Sequence, residues 1–417
     1  MHAELNPTSG RSTTPASKTL RGNWHRRLAR RVLDRLEHLP KGTLTVIEPD
    51  GHERTFQGAQ PGPDASITLH TYRALRRMLT GGDLAFAEAY IDGDWDTPDL
   101  QAVLLLGAVN EQALLEVFEP GLLNRAIARL RHLLRRNTVA GARKNIVAHY
   151  DLGNDFYRLW LDESMTYSCA DFQHSTQTLA DAQVRKLESI AVALDTNPGG
   201  KILEIGCGWG ALACHLAERH AVAVYGITLS DEQLRFAQQR VADRGVSDRV
   251  ELEIRDYRAV TERYDGIVSV EMLEAVGEAY WPTYFAQLYA RLKPGGRAVV
   301  QVIVINDEFY DYYRAGADFI QTHIFPGGML PSPGVMQQLS SDAGLVEVQR
   351  RALGTDYART LELWDEQFLN VTAELEALGY DAKFQRLWRY YFGYCRAGFL
   401  AGKIDLLQVT WQRPLAN

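Results

Sequence analysis

A glycine-rich turn carries the clearest chemical signal in this sequence. The run Glu204-Ile-Gly206-Cys-Gly208-Trp-Gly210 follows a short apolar stretch at 201–205 and precedes a helical pattern at 211–219. Glycines at such a junction let the backbone turn sharply and approach a ligand closely, beside the free amide groups of a helix N-terminus. The turn therefore predicts a cofactor site.

The spacing of the glycines separates two classes of cofactor. A dinucleotide fingerprint needs G-x-G-x-x-G, with an acidic residue at the end of the second strand. Here Gly210 follows Gly208 after a single residue, and the second strand ends in Gly226-Ile-Thr-Leu-Ser230 without an acid. This disfavours a nicotinamide cofactor. The E-x-G-x-G-x-G form instead resembles the S-adenosylmethionine site of class I methyltransferases.

The elements around this turn alternate regularly. A short apolar strand is predicted at 201–205, further strands at 222–225, 250–254, 266–270 and 297–304, and helices at 211–219, 230–243 and 279–292. This alternation of strands and helices predicts an α/β fold with a mostly parallel, Rossmann-like sheet. Strands near 345–352 and 404–412 would add an antiparallel edge and complete seven strands. Helical insertions at 308–322 and 360–398 are available as a lid over a substrate.

A smaller α/β domain is predicted in front of this sheet. We expect a disordered tail at 1–20, an N-terminal domain at 21–136, a linker at 137–148 and the catalytic domain at 149–417. The front elements are a helix at 24–37, strands at 43–49, 53–57 and near 66–70, and helices at 71–80 and 99–116. The turn Thr80-Gly81-Gly82-Asp83 separates two amphipathic stretches.

The composition excludes several classes of protein. With 46% hydrophobic and 23% charged residues, the 417-residue chain is globular and long enough for two domains. Its net charge of −7 argues against a nucleic-acid binder, because phosphate neutralisation needs a basic surface. Four cysteines without a CxxC pair favour a reducing cytoplasm. No apolar run approaches the ~18 residues of a membrane span, and no secretory signal is apparent.

No metal is expected, because the histidines lie in no metal-ligand spacing. This applies to His149, His174, His215, His220 and His323.

Charge is concentrated in the front of the chain. Residues 1–144 carry a net charge of +4 and residues 145–417 a net charge of −11. Leucines and isoleucine at 122–134 recur at helical spacing among arginines, and 122–150 holds no acidic residue. This basic amphipathic segment has two interpretations, which the sequence leaves open. It binds an anionic membrane face, or it is a surface helix that joins the two domains.

Ordered motifs between about residues 70 and 412 resemble the cyclopropane fatty acid synthase family. The motifs that carry the resemblance are His149-Tyr-Asp-Leu-Gly-Asn-Asp-Phe-Tyr157, Met165-Thr-Tyr-Ser-Cys-Ala170, Gly226-Ile-Thr-Leu-Ser-Asp-Glu-Gln233, Arg255-Asp-Tyr-Arg258, Ser269-Val-Glu-Met-Leu-Glu-Ala-Val-Gly277, Ile324-Phe-Pro-Gly-Gly-Met-Leu-Pro-Ser332 and Gly354-Thr-Asp-Tyr-Ala-Arg-Thr-Leu361. In the front domain, Gly82-Asp-Leu-Ala-Phe-Ala-Glu-Ala-Tyr90 and Gly93-Asp-Trp95 resemble the longer bacterial members.

The resemblance implies a specific reaction. These enzymes transfer the methyl group of S-adenosyl-L-methionine to a double bond in a phospholipid acyl chain, and loss of a proton from the new methyl closes a cyclopropane ring. A bound bicarbonate is thought to take that proton. The residues at the positions of its ligands are Cys169, Glu274, Gln301, Tyr357 and the backbone of Ile303.

Three positions depart from the bacterial pattern. Gln301 stands where the bacterial and mycobacterial enzymes have histidine, and it hydrogen-bonds but does not titrate near neutrality. Ala275 replaces a histidine and Glu271 a glycine that many bacterial members carry. The plant-type cyclopropane synthases resemble this chain at these points. The departures therefore weaken the prediction of ring closure without excluding it.

The resemblance also implies which residues bind the cofactor. Two glycines of the turn would approach the methionine and ribose portions, and the second and third strands would supply contacts to ribose and adenine. The full set is Tyr167, Ser168, Glu204, Gly206, Gly208, Gly210, Thr228, Leu229, Gln233, Asp256 and Tyr257.

The predicted enzyme thus works on unsaturated phospholipids at the inner face of the cytoplasmic membrane, docked there by its N-terminal domain. By resemblance a homodimer is plausible. One alternative is the same methyl transfer ending in a methyl- or methylene-branched chain, with a flavin reductase as partner. Another is a small-molecule N-methyltransferase, which would not need the front domain. The third is a non-catalytic lipid- or cofactor-binding relative, which the intact turn with Cys169, Glu274 and Tyr357 disfavours.

Overall fold

The computed structural model describes residues 33–118 and 152–415. The predicted tail at 1–20, the basic amphipathic segment at 122–134, the linker at 137–148 and His149 lie outside these ranges. The domain boundaries that depend on them therefore stay predictions.

The N-terminal domain is built on a small mixed sheet. Its strands lie in the order β2-β1-β3-β4, with β1 and β3 parallel and the other neighbours antiparallel. A short 3-10 helix at Arg35–His38 precedes the sheet. The strands are β1 (Lys41–Ile47), β2 (Glu53–Gln57), β3 (Gln60–Leu69) and β4 (Trp95–Asp96), and the helices are α1 (Arg73–Ile91), α2 (Leu100–Val109) and α3 (Glu111–Phe118).

Helix α1 differs from the prediction of a turn between two helical stretches. The helix runs on from Arg73 to Ile91, and Gly82 alone leaves helical geometry, with φ 61° and ψ −142°. A glycine adopts this backbone without a steric penalty, so the chain bends at one residue rather than breaking. The predicted turn is therefore a kink.

The C-terminal domain contains a seven-stranded sheet in the order β10-β11-β9-β8-β5-β6-β7. Strands β5 to β9 pair with one another in parallel, whereas β11 pairs antiparallel with both β9 and β10. This confirms the predicted parallel sheet with an antiparallel edge. The strands are β5 (Lys201–Ile205), β6 (Ala223–Thr228), β7 (Val250–Ile254), β8 (Tyr264–Val270), β9 (Leu292–Ile305), β10 (Val346–Ala352) and β11 (Ile404–Gln412).

Helices cover this sheet, and short polar side chains fix where several of them begin. Ser230 caps one helix by accepting from the Gln233 amide, and Ser332 caps another with Pro333 in its first turn. The helices are α4 (Asn154–Arg158), α5 (Leu179–Leu194), α6 (Ala211–His220), α7 (Asp231–Asp243), α8 (Leu273–Val276), α9 (Trp281–Arg291), α10 (Asp307–Arg314), α11 (Pro333–Asp342), α12 (Gly354–Asn370), α13 (Thr372–Ala377) and α14 (Ala382–Leu400). Short 3-10 turns at Tyr257–Ala259 and Glu278–Tyr280 and a π-turn at Ile320–Ile324 complete the fold.

The two domains pack through α14, which lies against α1 and α2. Its Arg386 donates to the carbonyl oxygens of Tyr90 and Trp95 at 2.6 and 2.9 Å, and its guanidinium lies 3.8 Å from the centre of the Tyr90 ring. Gly393 allows the close approach, because a Cβ there would lie 2.8 Å from Leu104 Cδ1. The N-terminal domain is thereby held against the helices that surround the site.

Within the described ranges, no helix combines the length and the apolar character needed to cross a membrane.

Candidate active site

One cavity of about 990 Å³ lies at the carboxyl edge of the parallel strands. Its wall includes the glycine turn after β5, the ends of β6 to β9, and residues of α12 and α14. It continues into the N-terminal domain, where apolar side chains such as Leu44, Val46 and Ile67 line it. Parallel α/β sheets bind ligands at this edge because the strand ends and their loops converge there. The cavity therefore joins the predicted cofactor site to an apolar channel.

The glycine turn leaves room for a ligand. Gly206 has φ +85°, and a Cβ there would lie 2.8 Å from Met272 Cγ, so only glycine fits. Gly208 has φ +50° and also lines the cavity, and a Cβ there would meet nothing within 4 Å. The open side of the turn faces the space that the S-adenosylmethionine resemblance assigns to the cofactor.

Residues after β6 and β7 form the next part of the wall. Thr228, Leu229 and Gln233 line the cavity, and Thr228 Oγ1 donates to Gln233 Oε1 at 3.1 Å. Asp256 and Tyr257 line it from the end of β7. Burial alone would raise the pKa of Asp256, but two hydrogen bonds from Arg258 lower it. Its carboxylate is therefore already paired and ionised.

Tyr167 also lines the cavity, and its hydroxyl lies 2.8 Å from that of Tyr391. The other predicted cofactor residues stand behind the wall. Ser168 is buried and accepts from Lys186 Nζ at 2.8 Å. Gly210 packs against α7, where a Cβ would lie 3.0 Å from that of Ala237. Glu204 is buried, and burial raises its pKa to about 8. None of these three residues lines the cavity.

Glu271 receives three hydrogen bonds on its carboxylate. Its Oε1 accepts from the Cys169 amide and from Gln301 Nε2, both at 2.9 Å. Its Oε2 accepts from the Tyr357 hydroxyl at 2.6 Å. Three separate segments of the chain thus converge on one carboxylate, which lies on the cavity wall. In the sequence this residue is recognisable only as a departure from the family pattern, and it was not among the predicted site residues.

The backbone of Glu271 is strained. Its φ of 50° lies in the left-handed region, which favours glycine. The residue follows directly after β8, and its amide donates to the Gln301 carbonyl at 2.7 Å. Non-glycine residues persist in such geometry only where their surroundings hold them, and such positions cluster at active sites. The hydrogen bonds to the Glu271 carboxylate keep the residue in this conformation.

Glu274 is the second carboxylate on the cavity wall. Its Oε1 accepts from the Ile303 amide at 2.5 Å, while its Oε2 is enclosed without a hydrogen-bond partner in the described part of the chain. Burial, and then the charge of Glu271, raise the pKa of Glu274 to about 8. Two enclosed carboxylates do not both ionise readily. Burial also raises the pKa of Glu271, but its three hydrogen-bond donors oppose that rise and make it the better stabilised anion of the two, while Glu274 holds the proton at neutral pH.

The remaining predicted catalytic residues act through Glu271. Gln301 is fully buried in β9 and donates to Glu271, while its own Oε1 accepts from Gln408 at 3.3 Å. Cys169 contributes its backbone amide, and its thiol donates to the Ala170 carbonyl at 3.0 Å. Burial raises the pKa of the Cys169 thiol well above its usual value, so it stays protonated. Cys169 is not a nucleophile here.

Two further polar side chains position the segment at 166–169. Gln183 Nε2 donates to the Ser168 carbonyl at 2.9 Å, and Lys186 Nζ reaches the Ser168 hydroxyl from the next turn of α5. Burial lowers the pKa of Lys186, whereas Glu271 and Glu204 nearby raise it. The sequence contains a signal for both: a glutamine and a lysine three residues apart on the apolar face of an amphipathic helix.

A surface cluster lies apart from the cavity wall. Glu188 Oε2 lies 3.0 Å from His215 Nε2 and 3.1 Å from His220 Nε2. Two imidazoles and a carboxylate are metal-ligand types, and the structure brings them together although their spacing did not suggest it. None of the three lines the cavity. The cluster therefore has no part in the chemistry of the site.

Comparison with known proteins agrees with this geometry. A tuberculostearic acid methyltransferase from Mycobacterium tuberculosis is 38% identical over 406 residues, covering 92% of this chain and 90% of the relative. A cyclopropane-fatty-acyl-phospholipid synthase from Escherichia coli (strain K12) is 36% identical over 355 residues, covering 85% of this chain and 89% of the relative.

Solved structures give the same result for the C-terminal domain. A cyclopropane synthase from Mycobacterium tuberculosis superimposes with a TM-score of 0.61 at 31% identity, covering 65% of this chain and 98% of the other. A mycolic acid cyclopropane synthase complexed with SAH and CTAB gives the same TM-score and coverage at 32% identity. The family model for mycolic acid cyclopropane synthetase matches residues 138–409. The chain therefore belongs to the cyclopropane synthase family of S-adenosylmethionine-dependent methyltransferases, as the sequence motifs predict.

Proposed function

We propose that this enzyme transfers a methyl group from S-adenosylmethionine to a carbon–carbon double bond in a phospholipid acyl chain and closes a cyclopropane ring. One observation carries the proposal. The cavity that contains the glycine turn and the two carboxylates continues as an apolar channel between Leu44, Val46 and Ile67 of the N-terminal domain. A small polar substrate has no use for such a channel, whereas a long acyl chain would bury its surface there.

The chain provides each group that this reaction needs. Bound S-adenosylmethionine supplies an electrophilic methyl group. The turn at Gly206 and Gly208 and the residues after β6 and β7 would hold it with that methyl toward Glu271. Tyr357 and Gln301 keep the Glu271 carboxylate in place by hydrogen bonds. A positioned base takes up a proton without first reorganising its surroundings.

The site must also exclude water, because a cation on a carbon chain reacts with it. The loop at 325–330 forms part of the cavity wall, and the Met329 amide donates to the Glu274 carbonyl at 2.9 Å. Helix α14 contributes Tyr391 and Phe399 to the wall. Aromatic and aliphatic side chains thus surround the two carboxylates and limit access of solvent to the reacting carbon.

A second outcome of the same transfer is a methyl- or methylene-branched chain. The relative named as a tuberculostearic acid methyltransferase, at 38% identity, favours it. Both outcomes begin with methyl transfer to an alkene and differ in which bonds rearrange before the proton leaves. Mass analysis of the product separates them, and ring closure is the outcome proposed here.

We also propose peripheral association with an anionic membrane at the cytoplasmic face. The arginines at 125–136 supply the attraction, and apolar side chains between them enter the lipid boundary. Raised salt should weaken binding to anionic vesicles, because screening shortens the range of the attraction. A vesicle affinity that is the same at low and high salt would contradict this step.

The function is tested with purified enzyme, S-adenosylmethionine and vesicles of a mono-unsaturated phospholipid. We expect S-adenosylhomocysteine to form in proportion to a lipid product that is one methylene unit heavier. Vesicles of the saturated phospholipid with the same headgroup are the matched control and should give neither product. Equal turnover with both vesicles, or turnover only with soluble amines, would contradict the proposal.

A further inference from the structure

We propose that the carboxylate of Glu271 is the base of this enzyme and occupies the place that bicarbonate takes in the family, so that the reaction needs no added bicarbonate. The inference builds on the proposed methyl transfer to an acyl chain. It holds for the ring-closed and the branched product alike, because both lose a proton.

The hydrogen-bond donors for a bound anion are already occupied. The resemblance assigns bicarbonate to the cysteine segment, residue 301, Tyr357, Glu274 and the Ile303 backbone. Here the Cys169 amide, the Gln301 side chain and the Tyr357 hydroxyl all donate to Glu271, at 2.9, 2.9 and 2.6 Å. The Ile303 amide donates to Glu274. A second anion among these groups would lack donors and would face the charge of Glu271.

The Glu271 carboxylate is chemically equivalent to bicarbonate as a hydrogen-bond acceptor. A carboxylate and a bicarbonate ion both present two oxygen atoms on one planar carbon, and both accept hydrogen bonds from the same donor geometry. Glu271 lies on the cavity wall, and the next residue, Met272, also lines the cavity and lies beside Gly206. The carboxylate is therefore positioned at the reacting space and attached to the chain.

The backbone at Glu271 also favours a role for its side chain. With φ 50°, Glu271 occupies a position that a glycine fills without strain. The enzyme keeps a strained glutamate there, and the strain is retained where the side chain serves the site. Replacing Glu271 with glycine would remove the carboxylate, relax the backbone and leave three converging donors around a space of carboxylate size.

The reaction balances with Glu271 as the base. The π electrons of the alkene form a bond to the methyl carbon as its bond to sulfur breaks, which leaves a cation on the other alkene carbon. The Glu271 carboxylate takes a proton from the new methyl group, and the released electron pair forms the bond that closes the ring. Glu271 is then a neutral acid, and its proton passes to water after the product leaves.

The experiment compares three proteins in buffer freed of carbon dioxide, with and without added bicarbonate. The wild-type rate should be the same in both. Without bicarbonate, the rate of Glu271→Gly should fall at least about 100-fold, because a positioned base usually contributes that much. Added bicarbonate should restore much of the lost rate. Glu271→Gln keeps the volume but not the base, so it should stay inactive in both buffers.

A second readout does not depend on turnover. Line broadening of carbon-13 bicarbonate in NMR spectra should appear with Glu271→Gly and be absent with the wild type, while thermal unfolding and S-adenosylmethionine binding show that the variant is folded. A wild-type rate that rises severalfold with bicarbonate, equal broadening by both proteins, or a near wild-type rate of Glu271→Gln would overturn the inference. Should no unsaturated lipid be methylated, the proposed function fails, and the NMR comparison still decides whether Glu271 fills the anion site.

Discussion

The hydroxyl of Tyr357 donates a hydrogen bond of 2.6 Å to Oε2 of Glu271, although the two residues are 86 positions apart in the chain. Tyr357 lies in the first turn of α12, whereas Glu271 follows the central strand β8. The bond therefore ties the helical cover of the cavity to the sheet. It also stabilises the ionised form of the carboxylate, which is the form that accepts a proton.

Replacement of Tyr357 by phenylalanine tests this relationship. Burial raises the pKa of Glu271, and the Tyr357 hydrogen bond opposes that rise. In Tyr357→Phe the pKa of Glu271 should rise further, so the acidic limb of the pH–rate profile should move to higher pH. A lost hydrogen bond to a charged group is worth about 1.5–3 kcal/mol, or about 10- to 100-fold in rate.

Tyr394→Phe is the control, because Tyr394 lines the same cavity but hydrogen-bonds Asp318 instead. The acidic limb of the pH–rate profile of Tyr394→Phe should match that of the wild type. An unshifted limb in Tyr357→Phe would show that the hydrogen bond does not tune the base.

The protonation of Glu274 should be visible in stability. Its pKa rises from 4.5 in the unfolded chain to about 8 in the folded protein, first because of burial and then because of Glu271. The stabilisation from this group is complete below pH 4.5 and is lost as the pH rises through 8. Between these values the loss approaches about 1.4 kcal/mol per pH unit.

Glu274→Gln keeps an oxygen for the Ile303 amide but does not titrate. Urea unfolding across this pH range should therefore show the variant gaining stability relative to the wild type as the pH rises. The exposed Glu308→Gln on α10 serves as control and should show no such trend. A constant difference between Glu274→Gln and the wild type would mean that Glu274 is not protonated in the fold.

A methyl group at Gly208 should block the cofactor. Nothing within 4 Å would meet its Cβ, and φ is +50°, so Gly208→Ala should fold at a backbone cost of about 1–2 kcal/mol. The new methyl would occupy the open side of the turn. Calorimetry should show S-adenosylmethionine binding weakened at least about tenfold, or about 1.4 kcal/mol.

Gly51→Ala is the matched control, because Gly51 has φ +81° and equally open surroundings in the hairpin between β1 and β2. It should carry a similar backbone cost and bind the cofactor normally. Unchanged cofactor affinity in Gly208→Ala would move the binding site away from the turn.

The front half of the channel should set the acceptable acyl length. Leu44 lines the cavity from β1, whereas the next residue, Thr45, faces Thr55 on the exposed side of the sheet. Leu44→Trp should slow methylation of long unsaturated chains at least about tenfold relative to short ones, because it fills space that a long chain needs. Cofactor affinity should not change.

Thr45→Trp carries the same side chain on the opposite face of the strand. It should leave the chain-length preference as in the wild type. If both tryptophan variants prefer the same chains as the wild type, the acyl chain does not enter the N-terminal domain.

Local sequence patterns were sufficient to predict the parallel sheet. Strands β5, β6, β8 and β9 contain apolar runs, which burial on both faces of the sheet favours. Strand β7, at the edge of the sheet, instead alternates apolar residues with the exposed Glu251 and Glu253. The glycine spacing indicated the cofactor class, since the turn and its ligand are neighbours in the chain. The family motifs additionally predicted Glu274 as a catalytic residue.

The centre of the site was beyond such patterns. Glu271 receives donors from positions 102, 30 and 86 residues away, and only the folded topology brings them together. Nothing local distinguishes a glutamate that replaces a family glycine from one that faces solvent. Likewise, Gly210 and Ser168 share motifs with cavity residues but pack behind the wall, since adjacent positions in a turn face different directions.

The most direct test of the account follows the three hydrogens of the transferred methyl group. Cells that lack their own cyclopropane synthase would express the enzyme and receive methionine with a fully deuterated methyl, followed by mass analysis of their lipids. Ring closure with Glu271 as base predicts a product that keeps two of the three deuterium atoms and resists mild hydrogenation. A product that keeps all three would be a methyl-branched chain and would contradict ring closure, as would a two-deuterium product that takes up hydrogen.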